Sequence, residues 1–134
     1  MEEKIYDSVI IGGGPAGLTA AIYLGRANKK VLVVEKKGFG SLAAAHKIDN
    51  YPGFDKGITG EELLEKMKKH ALSFGAEIVE DLFLDLDTIS SPYGVKCINK
   101  KYSGKSVIFA TGIWKGNSKK FKGESEFLGR GDVS

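Results

Sequence analysis

One nine-residue stretch, "VIIGGGPAG" at positions 9–17, limits this chain more than any other. A short run of branched apolar residues ends abruptly in glycines, as expected of a buried parallel strand. Pro15 follows, suited to the first turn of a helix. In the spacing Gly12-x-Gly14-x-x-Gly17 each glycine has its own task. The first makes a tight turn, the second lets the backbone approach a pyrophosphate, and the third lets helix and strand pack closely. The helix start then offers unpaired N–H groups and the positive end of its dipole to a phosphate.

Glycine spacing alone is a weak signal, so the flanks decide. In "PAGLTAAIYLGRAN", Leu18, Ala21, Ile22 and Leu24 supply an apolar helix face, and Asn28 suits a left-handed C-terminal cap. "KKVLVVE" reads as a second buried strand, so residues 5–35 form one β-α-β unit with a right-handed crossover. Glu35 closes that strand, placed to accept hydrogen bonds from an adenosine ribose. A carboxylate there repels a 2′-phosphate, which disfavours NADP at this site. FAD and NAD both remain, because they share the adenosine diphosphate half.

Downstream, residues 36–57 are irregular and broken by Gly38, Gly40, Pro52, Gly53 and Gly57. A loop this long is usually functional or disordered. "ITGEELLEKMKKHALSFG" then predicts a helix, with Thr59 and Glu62 at capping-box spacing and Leu63, Met67, Ala71 and Phe74 in helical period. Gly75 closes it, and "AEIV" reads as a third strand. From 82 to 110 the pattern becomes an antiparallel meander, with turns at "SSPYG" and near "YSG", returning to a final buried strand in "SVIFATG". After Gly112 the chain reads as polar loop. The fold class is therefore α/β: a parallel sheet with helices, plus a small antiparallel β-meander.

Composition narrows the partners. Among 134 residues with net charge +3, only Arg26 and Arg130 are arginines, and the lysines are scattered rather than clustered. Nucleic-acid sites concentrate basic residues with interleaved aromatics, so no nucleic-acid partner is expected. No apolar run reaches a membrane span, and the acidic start leading into a strand is not a signal peptide. No membrane partner is expected, and the expected location is cytoplasmic. Cys97 is the one cysteine, which excludes an internal disulfide, a dithiol pair and a multi-cysteine metal site. It reads as a plain strand thiol. His46 and His70 are isolated, so no metal site is expected; His46 reads as a loop residue and His70 as a partly buried packing residue. The aromatics of "NYPGF" either face a ligand or only cover the core, and Trp114 either shields a cofactor edge or marks a docking surface.

Five stretches, "DSVIIGGGPAGLTAAIYLGRANKKVLVVE", "IDNYPGF", "ITGEELLEKMKKHALSFGAEIVE", "SVIFATG" and "GESEFLGRG", occur here in an order that resembles low-molecular-weight thioredoxin reductases. That resemblance implies a Rossmann-like three-layer FAD-binding domain over residues 1–112, with 113–134 a linker toward an NAD(P)H-binding domain. It implies that Gly12, Gly14, Pro15, Ala16 and Gly17 hold the FAD pyrophosphate and Glu35 the adenosine ribose. Ser41, Leu42 and Asn50 would lie near the flavin, Leu82 near the adenine, and Ala110, Thr111 and Gly112 against the cofactor. In such enzymes NADPH reduces FAD, FAD reduces a Cys-x-x-Cys disulfide, and the dithiol reduces thioredoxin. The implied partners are a thioredoxin-like disulfide protein and the remaining parts of the reductase, and a homodimer is compatible.

Two departures qualify the match. Where the family usually reads Gly-Gly-Gln-Leu, this chain reads Phe39-Gly40-Ser41-Leu42, so a glutamine amide near the flavin becomes a shorter hydroxyl. No Cys-x-x-Cys is present. The expected function is thus the FAD-binding part of a reductase, expected incomplete and of low activity alone. The alternatives are a standalone flavin- or nucleotide-binding module, a subunit of a split oxidoreductase, or an NAD-dependent dehydrogenase.

Overall fold

Asp7 divides the first apolar run in two. The computed structural model describes residues 3–38 and 40–112. It places β1 at Ile5–Tyr6 and β2 at Ser8–Ile11, in different sheets. Asp7 makes the crossing by satisfying polar groups on both sides. Its carboxylate and its N–H both bond the backbone of Lys30, and its carbonyl accepts from the Ser106 N–H and hydroxyl. The expectations for Phe39, Trp114 and the linker 113–134 lie outside the described residues.

From β2 the chain enters α1, Pro15–Arg26, and returns in β3, Val31–Glu35, parallel to β2 with Ser8 opposite Val31 and Ile11 opposite Val34. Asn28 lies beyond the helix at φ 56°, the left-handed cap its side chain tolerates. α2, Gly60–Ser73, begins with the expected capping box: the Glu62 N–H donates to the Thr59 hydroxyl, and the Glu62 carboxylate accepts the Thr59 N–H. Gly75 follows the helix, its N–H bonded to the Leu72 carbonyl. β4, Glu77–Glu80, then runs parallel to β3.

The meander is built from β5 (Phe83–Asp87), β6 (Tyr93–Cys97) and β7 (Lys101–Gly104), and the chain ends its described course in β8 (Val107–Phe109). Two expectations are corrected here. "YSG" is not a turn but most of β7; the reversal comes earlier, at Ile98–Lys100, where the Cys97 N–H bonds the Lys100 carbonyl. β8 is not a fully buried strand. It is the edge of the order β4-β3-β2-β8, with Phe109 53% exposed, because no described strand pairs with its outer side. The meander also gains β1 as a fourth, parallel strand in the order β1-β7-β6-β5.

Two apolar cores glue three layers together. Alternate residues of each parallel strand point to opposite faces. Ile10, Val31 and Val33 meet Leu18 and Ala21 of α1 and Ala71 of α2 on the helix side. Val9, Ile11, Leu32 and Val34 meet Tyr6, Val95 and Cys97 on the meander side. This two-sided cover is why β2 and β3 read as unbroken apolar runs. His70 corrects another expectation: it is exposed, its ring 5.4 Å from that of Phe74.

The segment 36–57 is more organised than its composition suggests. Ile48 and Ile58 form an antiparallel bridge with N–H···O distances of 2.7 and 2.8 Å, and the Gly60 N–H bonds the Ala45 carbonyl. The loop is thereby pinned to the start of α2.

Candidate functional site

Four parallel strands end at the same edge of the sheet, and the expected site residues outside the 36–57 loop gather there. Gly12 follows β2, Glu35 ends β3, Asp81 and Leu82 follow β4, and Ala110, Thr111 and Gly112 follow β8. Ligands of open α/β sheets bind in this crevice at the carboxyl ends of the strands.

The glycine turn is sterically fixed. Gly12 sits at φ +120°, and a Cβ there would lie 2.1 Å from the Ala110 carbonyl oxygen. A Cβ on Gly17 would lie 1.9 Å from the Gly12 carbonyl oxygen, so strand and helix touch through bare backbone. The Gly12 N–H bonds the Val34 carbonyl at 2.9 Å, and the Ala110 N–H bonds the Ile11 carbonyl at 2.8 Å. Strands on both sides therefore hold the turn.

Gly14 is different. It is the N-cap of α1, in extended conformation, and its Cβ position meets nothing within 4 Å. No side chain caps the helix, and its first turn holds no acidic residue. An uncapped helix start facing open space, with its dipole unneutralised, suits a phosphate. Pro15 and Ala16, exposed at the first helical positions, keep that approach free of bulk. The residues present fit the diphosphate of FAD.

Glu35 borders this space. A Cβ on Gly13 would come within 2.5 Å of the Glu35 Oε2. The other oxygen, Oε1, is bonded to Lys68 Nζ of α2 at 2.9 Å. Sequence reasoning missed Lys68, because it looks like any surface lysine beside the apolar face of a helix.

It also missed Asp81. This buried carboxylate accepts from the N–H groups of Leu82 and Asn99, the Asn99 side-chain amide and the Tyr102 hydroxyl, at 2.8–3.2 Å. Burial alone would raise its pKa, but these hydrogen bonds outweigh burial and hold the carboxyl below its ordinary value. The Asp81 N–H bonds the Glu35 carbonyl at 2.9 Å, so Leu82 is fixed beside the end of β3. Nearby in β6, Cys97 is buried between the sheets, and burial together with the Asp81 charge pushes its thiol up to about 11.

Ser41, Leu42 and Asn50 occupy the loop between β3 and α2. Ser41 and Asn50 are exposed and Leu42 is half-buried. The hydrogen bonds described for this loop run within it and to the start of α2, not to the glycine turn. Tyr51 and Phe54 lie beside Asn50, their ring centroids 6.0 Å apart. Among the described residues no His, Cys, Asp or Glu cluster suits a metal, and no helix is long and apolar enough to cross a membrane.

Fold and site together define an α/β domain of the three-layer dinucleotide-binding class. A family model described as pyridine nucleotide-disulphide oxidoreductase matches residues 6–133. The chain belongs to that family, whose members are FAD-dependent enzymes. The thioredoxin reductase of Aquifex aeolicus is 47% identical over 131 residues, covering 96% of this chain and 40% of the relative. That of Bacillus subtilis is 43% identical, covering 97% of this chain and 41% of its own length. The solved structure of a thioredoxin reductase from Gloeobacter violaceus superposes with a TM-score of 0.82 at 36% identity, covering 96% of this chain and 43% of that one. The chain thus spans 40–43% of the length of these relatives.

Proposed function

We propose that this chain is the FAD-binding part of a thioredoxin-reductase-like flavoprotein. In such a protein two electrons pass from NADPH or NADH, by way of FAD, to the disulfide of a thioredoxin-like protein. The observation that carries this reading is the open, uncapped start of α1 at Gly14, reached by a turn in which Ala110 lies against Gly12 and Glu35 against Gly13. In this reading Gly12, Gly14, Pro15, Ala16 and Gly17 hold the pyrophosphate. Glu35 accepts from the adenosine ribose, Leu82 lies on the adenine side, and Ala110, Thr111 and Gly112 flank the cofactor. Ser41, Leu42 and Asn50 serve the flavin side.

Bound FAD supplies the two-electron chemistry; the chain's own residues bind, orient and exclude water. Residues 1–112 act as the binding domain and 113–134 as the connection to a nucleotide domain. The proposed partners are the remaining parts of the reductase and a thioredoxin-like protein, with a homodimer compatible. The proposed location is the cytoplasm, without a nucleic-acid or membrane partner. Titration of the purified chain with FAD tests the reading. Saturable quenching of flavin fluorescence at one FAD per chain is expected. A chain that stays colourless and leaves the fluorescence unchanged would overturn it.

A further inference from the structure

We propose that Lys68 is a positioning residue that sets the preference for ribose over 2′-deoxyribose, by fixing the Glu35 carboxylate. The proposal rests on the dinucleotide reading above. Six ion pairs occur among the described residues, and in five the lysine is 51–70% exposed. Lys68 is the exception, its side chain 18% exposed and that of Glu35 12%. Withdrawing two charges from water is costly, and replacing such a pair by apolar groups is often neutral or stabilising. Stability alone therefore gives little reason for this pair.

Geometry supplies one. Lys68 occupies Oε1, while Oε2 lies against Gly13 on the side of the glycine turn. A carboxylate accepts at both oxygens, so the lysine leaves acceptor sites free for the hydroxyls of a diol. Glu80 places a second carboxylate nearby. It is the register partner of Glu35 on the adjacent parallel strand, so the two side chains leave the same face of the sheet. Glu80 has its own exposed partner, Lys37, at 3.2 Å. Lys37 offsets Glu80 at the surface, so Lys68 is what anchors Glu35; without it the carboxylate loses its 2.9 Å hold and its orientation loosens.

Calorimetric titration of the whole chain with ADP and with 2′-deoxy-ADP tests the proposal. The wild type should prefer ADP by about tenfold, the size of one hydrogen bond to a charged acceptor. Lys68→Met should reduce that preference to less than about twofold, and Lys68→Arg should keep most of it. If Lys68→Met does not melt cooperatively, Lys68→Gln, uncharged but still a donor, carries the same expectation. A merely structural lysine would weaken both nucleotides equally and leave their ratio intact. A preference that survives Lys68→Met but is lost in Glu35→Gln overturns the proposal alone. A wild type that binds neither nucleotide, or both alike, overturns the ribose reading of Glu35 and this proposal with it.

Discussion

Gly14 and Gly12 separate binding from folding at the scale of one residue. Gly14→Ala adds a methyl group to open space, so the melting temperature should stay within about 2 °C. FAD affinity should fall at least about tenfold, because the methyl enters the room above the helix start. Gly12→Ala should instead destabilise the fold by about 1–3 kcal/mol from backbone strain alone, before any clash with Ala110. Asp81 adds a prediction in pH. Its folded pKa is depressed, so its stabilisation is present above the ordinary carboxyl value and is lost as pH falls through the folded one. Asp81→Asn should therefore cost about 1–3 kcal/mol at pH 7, and its melting curve should begin to approach that of the wild type as pH falls below about 4, meeting it only once pH is below the folded value. The glycine turn and the place of Glu35 at the end of β3 were legible in the sequence because they follow from local spacing. Lys68 and Asp81 were not, because their partners arrive from other elements.

Elements were legible where local chemistry and tertiary packing agree. The α2 capping box is written in four consecutive residues, Thr59 to Glu62, and forms as read. Thr59→Ala should cost about 1 kcal/mol, measured by urea unfolding with an unchanged m-value. Where long-range pairing decides, reading along the chain fell short. Ile5–Tyr6 looks continuous with β2, yet it pairs with Ser103–Gly104 because Asp7 carries the backbone from one sheet to the other. "YSG" resembles a turn by composition, but Ser103 and Gly104 are buried against β1 and β6. The 36–57 loop gains its order from one bridge between Ile48 and Ile58 that no local rule announces. The residues of that loop expected near the flavin were named by resemblance alone, and their surroundings depend on contacts the sequence does not encode locally.

At the scale of the whole molecule, the chemistry of this chain is bounded by its thiol inventory. Cys97 is the only cysteine, is buried between two sheets, and has a pKa of about 11, so it is neither paired nor a thiolate at neutral pH. The 134-residue chain loaded with FAD should therefore show no thioredoxin-dependent disulfide turnover. A standard assay with NADPH and thioredoxin checks this, and Cys97→Ser should give the same null rate. The pairing of residues 5–11 with 103–109 has a consequence for assembly. These two ribbons cross between the sheets together, Ile5 beside Ser103 and Ile11 beside Phe109. During synthesis the glycine turn is translated early, but its neighbour emerges roughly a hundred residues later. The glycine turn acquires its second wall only when Ala110 has left the ribosome, so a nascent chain should remain open to proteases and blind to FAD until nearly all of residues 1–112 has been made.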